Sequence, residues 1–386
     1  MSPGRTPSRP RLLLLATTIL LPYRIMRCAR AAGAQVLVLA TAGGADLRFS
    51  NRLAACLRTE RPIDGSFDPV LADEINRLAE AHGVDMVLPG DAASTRSLIA
   101  IRDLVAPPCF PMPSLEQFDL LNDKWRFQAL CGELGVETPG GALYADVEAL
   151  RAVLRAGGVR FPAIAKPLSM DSGIGCVVLD AETAERDALG LFYAPILVQD
   201  YIAGSDIGAS AYCNAGEISA FIAHSYHHQT YVTFDDERIY ASIEKVARRL
   251  GLTGVFNFDM RLTPDGRIYF LECNPRFFFK IAMSMLSGIN FVAQGLPGAA
   301  VQAAPVRCGS TVVQLPKAML AALPTPWKLR PRSWNALRFA LADPVPYLRE
   351  ELHLFDEEQV RLGFFRKTMA PGAAPAAWRP SARELA

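Results

Sequence analysis

The stretch from Gly254 to Arg276 constrains this chain more than any other. Val255, Asn257, Asp259 and Arg261 alternate with Phe256, Phe258, Met260 and Leu262, the period-two pattern of a strand with one polar face. Thr263-Pro264-Asp265-Gly266-Arg267 is turn chemistry. Ile268, Phe270, Glu272 and Asn274 then alternate with Tyr269, Leu271 and Cys273. The two runs predict a β-hairpin. With Pro264–Arg267 as its loop, Thr263 faces Ile268, and the register carries Asp259 opposite Glu272, with Asn274 two residues on along the same face. Two carboxylates and an amide oxygen converging from adjacent strands make a hard-oxygen site. Mg²⁺ suits it, because that ion takes one or two carboxylates and fills its shell with nucleotide phosphates. A strand face with its charges in water has the same pattern, so the hairpin alone leaves both readings open.

Upstream residues add to it. Lys166 ends the predicted strand Phe161–Ala165, and Pro167 stops that strand. The following Ser169-Met170-Asp171-Ser172-Gly173-Ile174-Gly175 is a small loop whose backbone N–H groups can line up on phosphate oxygens. It is not a Walker A loop, since no Gly-Lys-Ser/Thr follows, and a tight hairpin connection reads the same. Lys124, in Asn122-Asp123-Lys124-Trp125, falls inside a helix predicted over Leu115–Leu134 and closed by Gly135; by itself it reads as a surface lysine. Ile196–Ile202 is a strand leading into Ala203-Gly204-Ser205-Asp206. A backbone edge there can pair with an adenine, and Asp206 can accept from ribose hydroxyls.

The beginning of the chain alternates strand and helix signals. Leu12–Ala16, Val36–Ala40 and Asp85–Leu88 are apolar runs of the kind buried on both faces of a parallel sheet; Pro22–Ala32, Asp73–His82 and Ala92–Leu104 read as helices between them. This is a doubly wound pattern. The turn after the first run, Thr17-Thr18-Ile19-Leu20, lacks G-x-G-x-x-G, so no dinucleotide is placed there. The proline-dense Ala106–Pro113 marks a boundary. Arg9 and Arg11 before Leu12–Pro22 superficially resemble a secretory signal. Arg24, Arg27 and Arg30 lie where such a signal is uncharged, so the folded reading and a cytoplasmic location are preferred.

Composition narrows the classes. A length of 386 residues suggests two or three domains at roughly 100–200 residues each. With 51% hydrophobic and 20% charged residues, the chain is not of disordered composition. Lys+Arg is 40 against Asp+Glu 39, which argues against a protein built to hold nucleic acid by charge. No apolar run approaches the ~18 residues that span a bilayer. None of the eight cysteines forms a C-x-x-C pair, so free thiols are expected.

Taken in order, these pieces resemble the ATP-grasp superfamily, within it carboxylate–amine ligases and carbamoyl-phosphate-synthase-like enzymes. The matches run from Asn122-Asp123-Lys124 through Phe161–Pro167, Ser172–Gly175 and Val198–Ile202 to Phe258-Asp259 and Leu271–Arg276, within a likeness over residues 10–295. The resemblance implies a mixed α/β and α+β fold: an N-terminal Rossmann-like domain with a doubly wound parallel sheet (1–112), then a two-subdomain ATP-grasp fold (113–192 and 193–302) holding nucleotide between two sheets. Outside the resemblance, weak signals and an Ala- and Pro-rich end predict that residues 303–386 are an extension with a disordered tail.

The resemblance also implies roles. Lys124 and Lys166 hold nucleotide phosphates, under a mobile loop containing Ser172, Gly173 and Gly175. Gln199, Asp200 and Ile202 lie against adenine, with Asp206 at the ribose. Asp259, Glu272 and Asn274 ligate Mg²⁺ or Mn²⁺. Arg276, with Lys166, acts on the reacting group. Two features depart from relatives: Gln199-Asp200, where Glu-Glu or Gln-Glu is common, and Phe277-Phe278-Phe279-Lys280 after Arg276, where small or polar residues are common.

The implied activity is an ATP-dependent ligase that activates a carboxylate as an acyl phosphate and couples it to an amine. A carboxylate approaching ATP brings two anions together; at ~4 Å and an effective dielectric of ~20 they repel by about 4 kcal/mol, which lysines, arginine and a divalent ion offset. The alternatives are an ATP-grasp phosphotransferase and a non-catalytic nucleotide-binding protein. His224, Arg238 and Lys280 are candidates for substrate contact, His224 lying near His227 and His228 in what is expected to be a loop over the acceptor. The expected partners are a small carboxylate and a small amine, with no nucleic acid and no membrane; a homodimer is left open.

Overall fold

The apolar run at the start of the chain is the middle of a parallel sheet. Strands β1 (Arg11–Ala16), β2 (Gln35–Ala40), β3 (Ala55–Arg58) and β4 (Met86–Leu88) lie in the order β3-β2-β1-β4, all parallel. Leu12 to Leu15 are fully buried, as a strand covered on both faces requires. Each such leucine contributes about 2 kcal/mol of burial. The crossover helices are α1 (Leu20–Ala31), α2 (Pro69–His82) and α3 (Ala92–Ile101). Asp68 caps α2 on the Val70 N–H at 2.9 Å, and Gly83 closes it with φ +62°. Asp91 caps α3 and also accepts from the Thr17 N–H and hydroxyl, at 2.9 and 2.7 Å.

The computed structural model describes residues 9–169, 173–184, 189–227, 229–298, 304–321, 327 and 329–348. They form two compact units. The first comprises the chain up to Phe118, Ala209–Asn257 and the residues from Asn274 on; the second comprises Asp119–Gly208 and Phe258–Cys273. Among the described residues no helix is long and apolar enough to cross a membrane, and all eight cysteines are free thiols. The Ala- and Pro-rich tail from Pro371 lies outside the described residues.

In the second unit, β5 (Gly141–Tyr144), β6 (Ala163–Lys166), β7 (Val177–Leu179) and β8 (Ile196–Asp200) form an antiparallel sheet in the order β5-β8-β6-β7. Leu150, Leu154, Ala165, Val177 and Ile196 make its core. The single helix expected over Leu115–Leu134 is two helices, α4 (Leu115–Asn122) and α5 (Lys124–Glu133). Asp123 breaks them apart: its backbone is extended (φ −84°, ψ 112°), and its carboxylate accepts from the N–H groups of Trp125 and Arg126 at 2.9 and 3.0 Å.

The remaining strands are β9 (Ser205–Asn214), β10 (Glu217–His227), β11 (Thr230–Phe234), β12 (Gly254–Leu262), β13 (Ile268–Asn274), β14 (Val306–Arg307) and β15 (Thr311–Gln314). Their order is β13-β12-β9-β10-β11-β15, with β14 beside β10. Strands β9 and β12 contribute residues to both units, and β13 enters the first with Asn274. The β12–β13 hairpin forms, but its turn pairs Thr263 with Arg267 and not with Ile268, a departure from the expected register. The Thr263 N–H donates to the Arg267 carbonyl and the Gly266 N–H to the Thr263 carbonyl, both at 2.9 Å. The loop is therefore Pro264–Gly266, one residue shorter than the alternation suggests, because Gly266 accepts φ +83°.

Candidate active site

The break at Asp123 determines where the first basic residue points. Lys124 becomes the first residue of α5, so its own N–H is not spent inside the helix and donates to the Leu168 carbonyl at 3.0 Å. The side chain is buried, and Nζ lies 3.0 Å from Glu272 Oε2. The surface-lysine reading of Lys124 is thus corrected: periodicity carried one helix through Asp123, and only the cap turns this residue inward. Phe127, one turn along α5, packs against Phe258 of β12 at 6.1 Å between ring centroids, and Phe258 meets Phe270 of β13 at 6.1 Å. That aromatic row fixes the helix start over the acidic hairpin.

Lys166 ends β6 and is also buried. Burial pushes its ammonium down to about 8, with Glu272 opposing that shift and Lys124 adding to it. For Glu272, burial acts to raise the carboxyl. The charge of Lys124, hydrogen bonds with Asp259 and Lys124, and the charge of Lys166 outweigh it and hold the group below the usual carboxylate range. So Lys124, Lys166, Asp259 and Glu272, drawn from α5, β6 and the hairpin, interact as one cluster inside the second unit.

The other expected contacts are distributed as follows. Gly173 and Gly175 hold φ +71° and +76°, and Ser172 lies outside the described residues. Gln199 is buried, its amide donating to Gln128 Oε1 at 2.6 Å. The expectation of a free backbone edge along this strand needs correction: β8 is flanked by β5 and β6, and the Asp200 and Tyr201 N–H groups already donate to Gly140 and Pro162. Beyond that point the chain leaves the ladder at Ile202. Asp206 is exposed and paired with Arg261 at 3.1 Å.

In the first unit, Arg276 Nη2 donates to Asn274 Oδ1 at 3.0 Å, and the Arg276 N–H to the Asn274 carbonyl at 2.8 Å. Asn274 is two residues beyond Glu272 on β13. His224 is buried and stacked on Tyr231, with centroids 4.7 Å apart. Burial, aided by Lys280, pushes its imidazole down to about 3, so it is neutral. Lys280 Nζ sits 3.4 Å from the centroid of the Tyr226 ring. Arg238 is apart from this pair, exposed and forked onto Asp236 at 2.7 and 3.1 Å. His227 is exposed, and His228 lies outside the described residues.

Two residues with a part in this arrangement escaped the sequence reading. Gln128 lies one turn after Lys124 on α5, a spacing that signals a shared face. Tyr193 donates its hydroxyl to the Gly175 carbonyl at 2.6 Å, and no sequence pattern marks it.

Among the described residues no three His, Cys, Asp or Glu side chains gather as a metal group. Asp259 and Glu272 of the second unit are two carboxylates on adjacent strands, a pair that fits an ion completing its shell with phosphate oxygens. The Asp259 and Glu272 carboxyl groups lie within reach of each other and would hold such an ion together.

A family model described as an ATP-grasp in the biosynthetic pathway with Ter operon matches residues 192–317. The arginine-specific carbamoyl phosphate synthase large chain of Geobacillus stearothermophilus is 25% identical over 229 residues, 54% of this chain and 22% of that one. The chain thus spans about a fifth of the curated relatives it matches. Among solved structures, the biotin carboxylase domain of the Hydrogenobacter thermophilus 2-oxoglutarate carboxylase, in complex with MgADP, ADP and bicarbonate, superposes with a TM-score of 0.58 at 18% identity, over 76% of this chain and 71% of that one. The L-amino acid ligase of Bacillus licheniformis gives 0.55 at 15% identity, over 76% and 74%. The chain thus has the fold of these ATP-grasp proteins, and its residues 192–317 match an ATP-grasp family model.

Proposed function

We propose that the protein is an ATP-dependent carboxylate–amine ligase. The observation that carries this reading is the pair of buried lysines gathered on the Asp259–Glu272 hairpin. Burying two cations beside a carboxylate is costly in a protein that uses them only for structure. Beside a nucleotide triphosphate they offset its charge. Lys124 and Lys166 bind the phosphates. Gly173–Gly175 belong to the loop that covers them and excludes water. Gln199, Asp200 and Ile202 border the adenine and Asp206 the ribose. Asp259, Glu272 and Asn274 would hold Mg²⁺ or Mn²⁺, which supplies charge neutralisation at the phosphates when bound.

In the reaction a substrate carboxylate oxygen bonds to the γ-phosphorus of ATP and the bond to ADP breaks. The amine nitrogen then bonds to the acyl carbon, inorganic phosphate leaves, and the amine gives up a proton. Arg276 offsets charge on the transferring group. The relatives support this assignment, since their names include carbamoyl phosphate synthase and L-amino acid ligase.

The test is ADP and phosphate release across pairs of organic acids and amines. A ligase releases both products only when acid and amine are present together. Phosphate retained on the acid would instead make it a phosphotransferase, and ATP binding without turnover on any pair would make it a nucleotide-binding protein.

A further inference from the structure

The two buried lysines have a companion pair of amides inside the second unit. Gln128 follows Lys124 by four residues on α5, the spacing that stacks two side chains on one face of a helix. Gln199 shares a sheet face with Lys166. Ala163, Ala165, Ile196 and Val198 belong to the core on one side of that sheet. The register of β6 and β8 pairs Lys166 with Leu197 and Ile164 with Gln199, so these four lie on the other side. Gln199 is 3% exposed. It stands two residues along β8 from the partner of Lys166, roughly 7 Å at the rise of a strand. On helix and strand alike, an amide lies one step beyond each lysine.

These amides form a relay whose direction is set at one end. The Pro139 carbonyl can only accept, so Gln128 turns its Nε2 to it, at 2.9 Å. Gln128 Oε1 is then the atom that meets Gln199, whose Nε2 donates to it at 2.6 Å. Reversing the Gln199 amide would set two oxygens against each other at that distance, and Gln128 forbids it. The relay therefore ends in Gln199 Oε1, an acceptor. A base presenting an exocyclic amine donates to such an atom, as adenine does; a base presenting a carbonyl there, as guanine does, sets a second acceptor against it. In a buried place two acceptors without a donor are costly.

We propose that Gln128 is a positioning residue for the choice of nucleobase: anchored on the Pro139 carbonyl, it locks Gln199 with Oε1 as the acceptor, and the site selects a base with an exocyclic amine over one with a carbonyl in that place. The proposal rests on the reading of Gln199 as a border of the nucleotide base.

The experiment is titration calorimetry on the full chain with Mg²⁺, using ADP and inosine diphosphate, which carries a carbonyl where ADP carries the amine. The wild type is expected to bind ADP at least about tenfold more tightly. Gln128→Leu frees the Gln199 amide to turn, and the preference is expected to shrink to within about threefold. Gln128→Glu still accepts from Gln199 and is expected to keep the preference, losing only the bond to Pro139. The double variant Gln128→Leu/Gln199→Glu is expected to regain it, because a carboxylate offers an acceptor whichever way it turns. Equal binding of the two nucleotides by the wild type, or the full preference surviving in Gln128→Leu, overturns the proposal and leaves the nucleotide site standing. Loss of the preference in both single variants without recovery in the double variant also overturns it. Binding of neither nucleotide sinks the proposal and the nucleotide reading together. A Gln128-dependent preference for ADP, with no ADP release from any acid and amine pair, supports the proposal and sinks the ligase reading alone.

Discussion

Lys166 is a cation that its surroundings disfavour, and this has consequences at two levels. Its folded-state value of about 8 lies below the value of an exposed lysine. The unfolded chain therefore binds more protons between about pH 8 and 10.4, so stability should rise with pH through that window, by a few kcal/mol in all. Denaturant unfolding of wild type and Lys166→Met checks this; the variant should lose that part of the rise. Phosphate binding needs the charged form, so ADP affinity should fall as pH climbs past about 8, by up to about tenfold per pH unit. Lys166→Met should bind ADP weakly at every pH, with a flat profile in calorimetry. Glu272 supplies the complementary case. Glu272→Gln keeps the side-chain shape but leaves Lys124 and Lys166 without their carboxylate. Turnover should drop at least about a hundredfold, with about 1–3 kcal/mol of stability lost, read by thermal melting. The identity of every one of these residues was legible in the sequence. Their burial was not, because a lysine at a strand end or beside a cap carries no local mark of what covers it.

At the scale of elements, the start of α5 and the glycine loop control the phosphate site. Asp123→Ala removes the cap that turns Lys124 inward. It should cost about 1 kcal/mol and raise the KM for ATP several-fold; an unchanged KM would mean that the cap serves stability alone. At Gly175 a Cβ would meet the Tyr193 ring at 2.8 Å, and φ is +76°. Gly175→Ala should therefore displace the loop and raise the KM for ATP, while Tyr193→Phe, losing one hydrogen bond to the Gly175 carbonyl, should do so more mildly. The hairpin was readable because alternation and turn residues are local signals. The division between α4 and α5 was hidden because apolar spacing continued across it, even though Asn122-Asp123 is a capping sequence.

At the scale of the molecule, the extension from residue 303 had no functional reading from sequence, and the structure shows what its described residues 329–348 hold. Asp343, 1% exposed, accepts from the Ser50 hydroxyl and the Asn51 N–H, and its carbonyl accepts from the Tyr23 hydroxyl. Arg27 of α1 lies 3.8 Å from the Phe339 centroid and donates to the Phe339 carbonyl. The extension is thus fastened to the beginning of the chain. Asp343→Ala strands the Ser50 and Asn51 donors and should cost about 1–3 kcal/mol, seen as a lower Tm with ADP affinity preserved.

The amino-acid order by itself determined the parallel sheet and the acidic hairpin, because each depends on neighbours a few positions apart. The tertiary structure decided which lysines are buried, which carboxylate holds them, and what Asp343 and Phe339 are fastened to. Those outcomes depend on desolvation and on charges brought together from distant parts of the chain, and no local pattern encodes them.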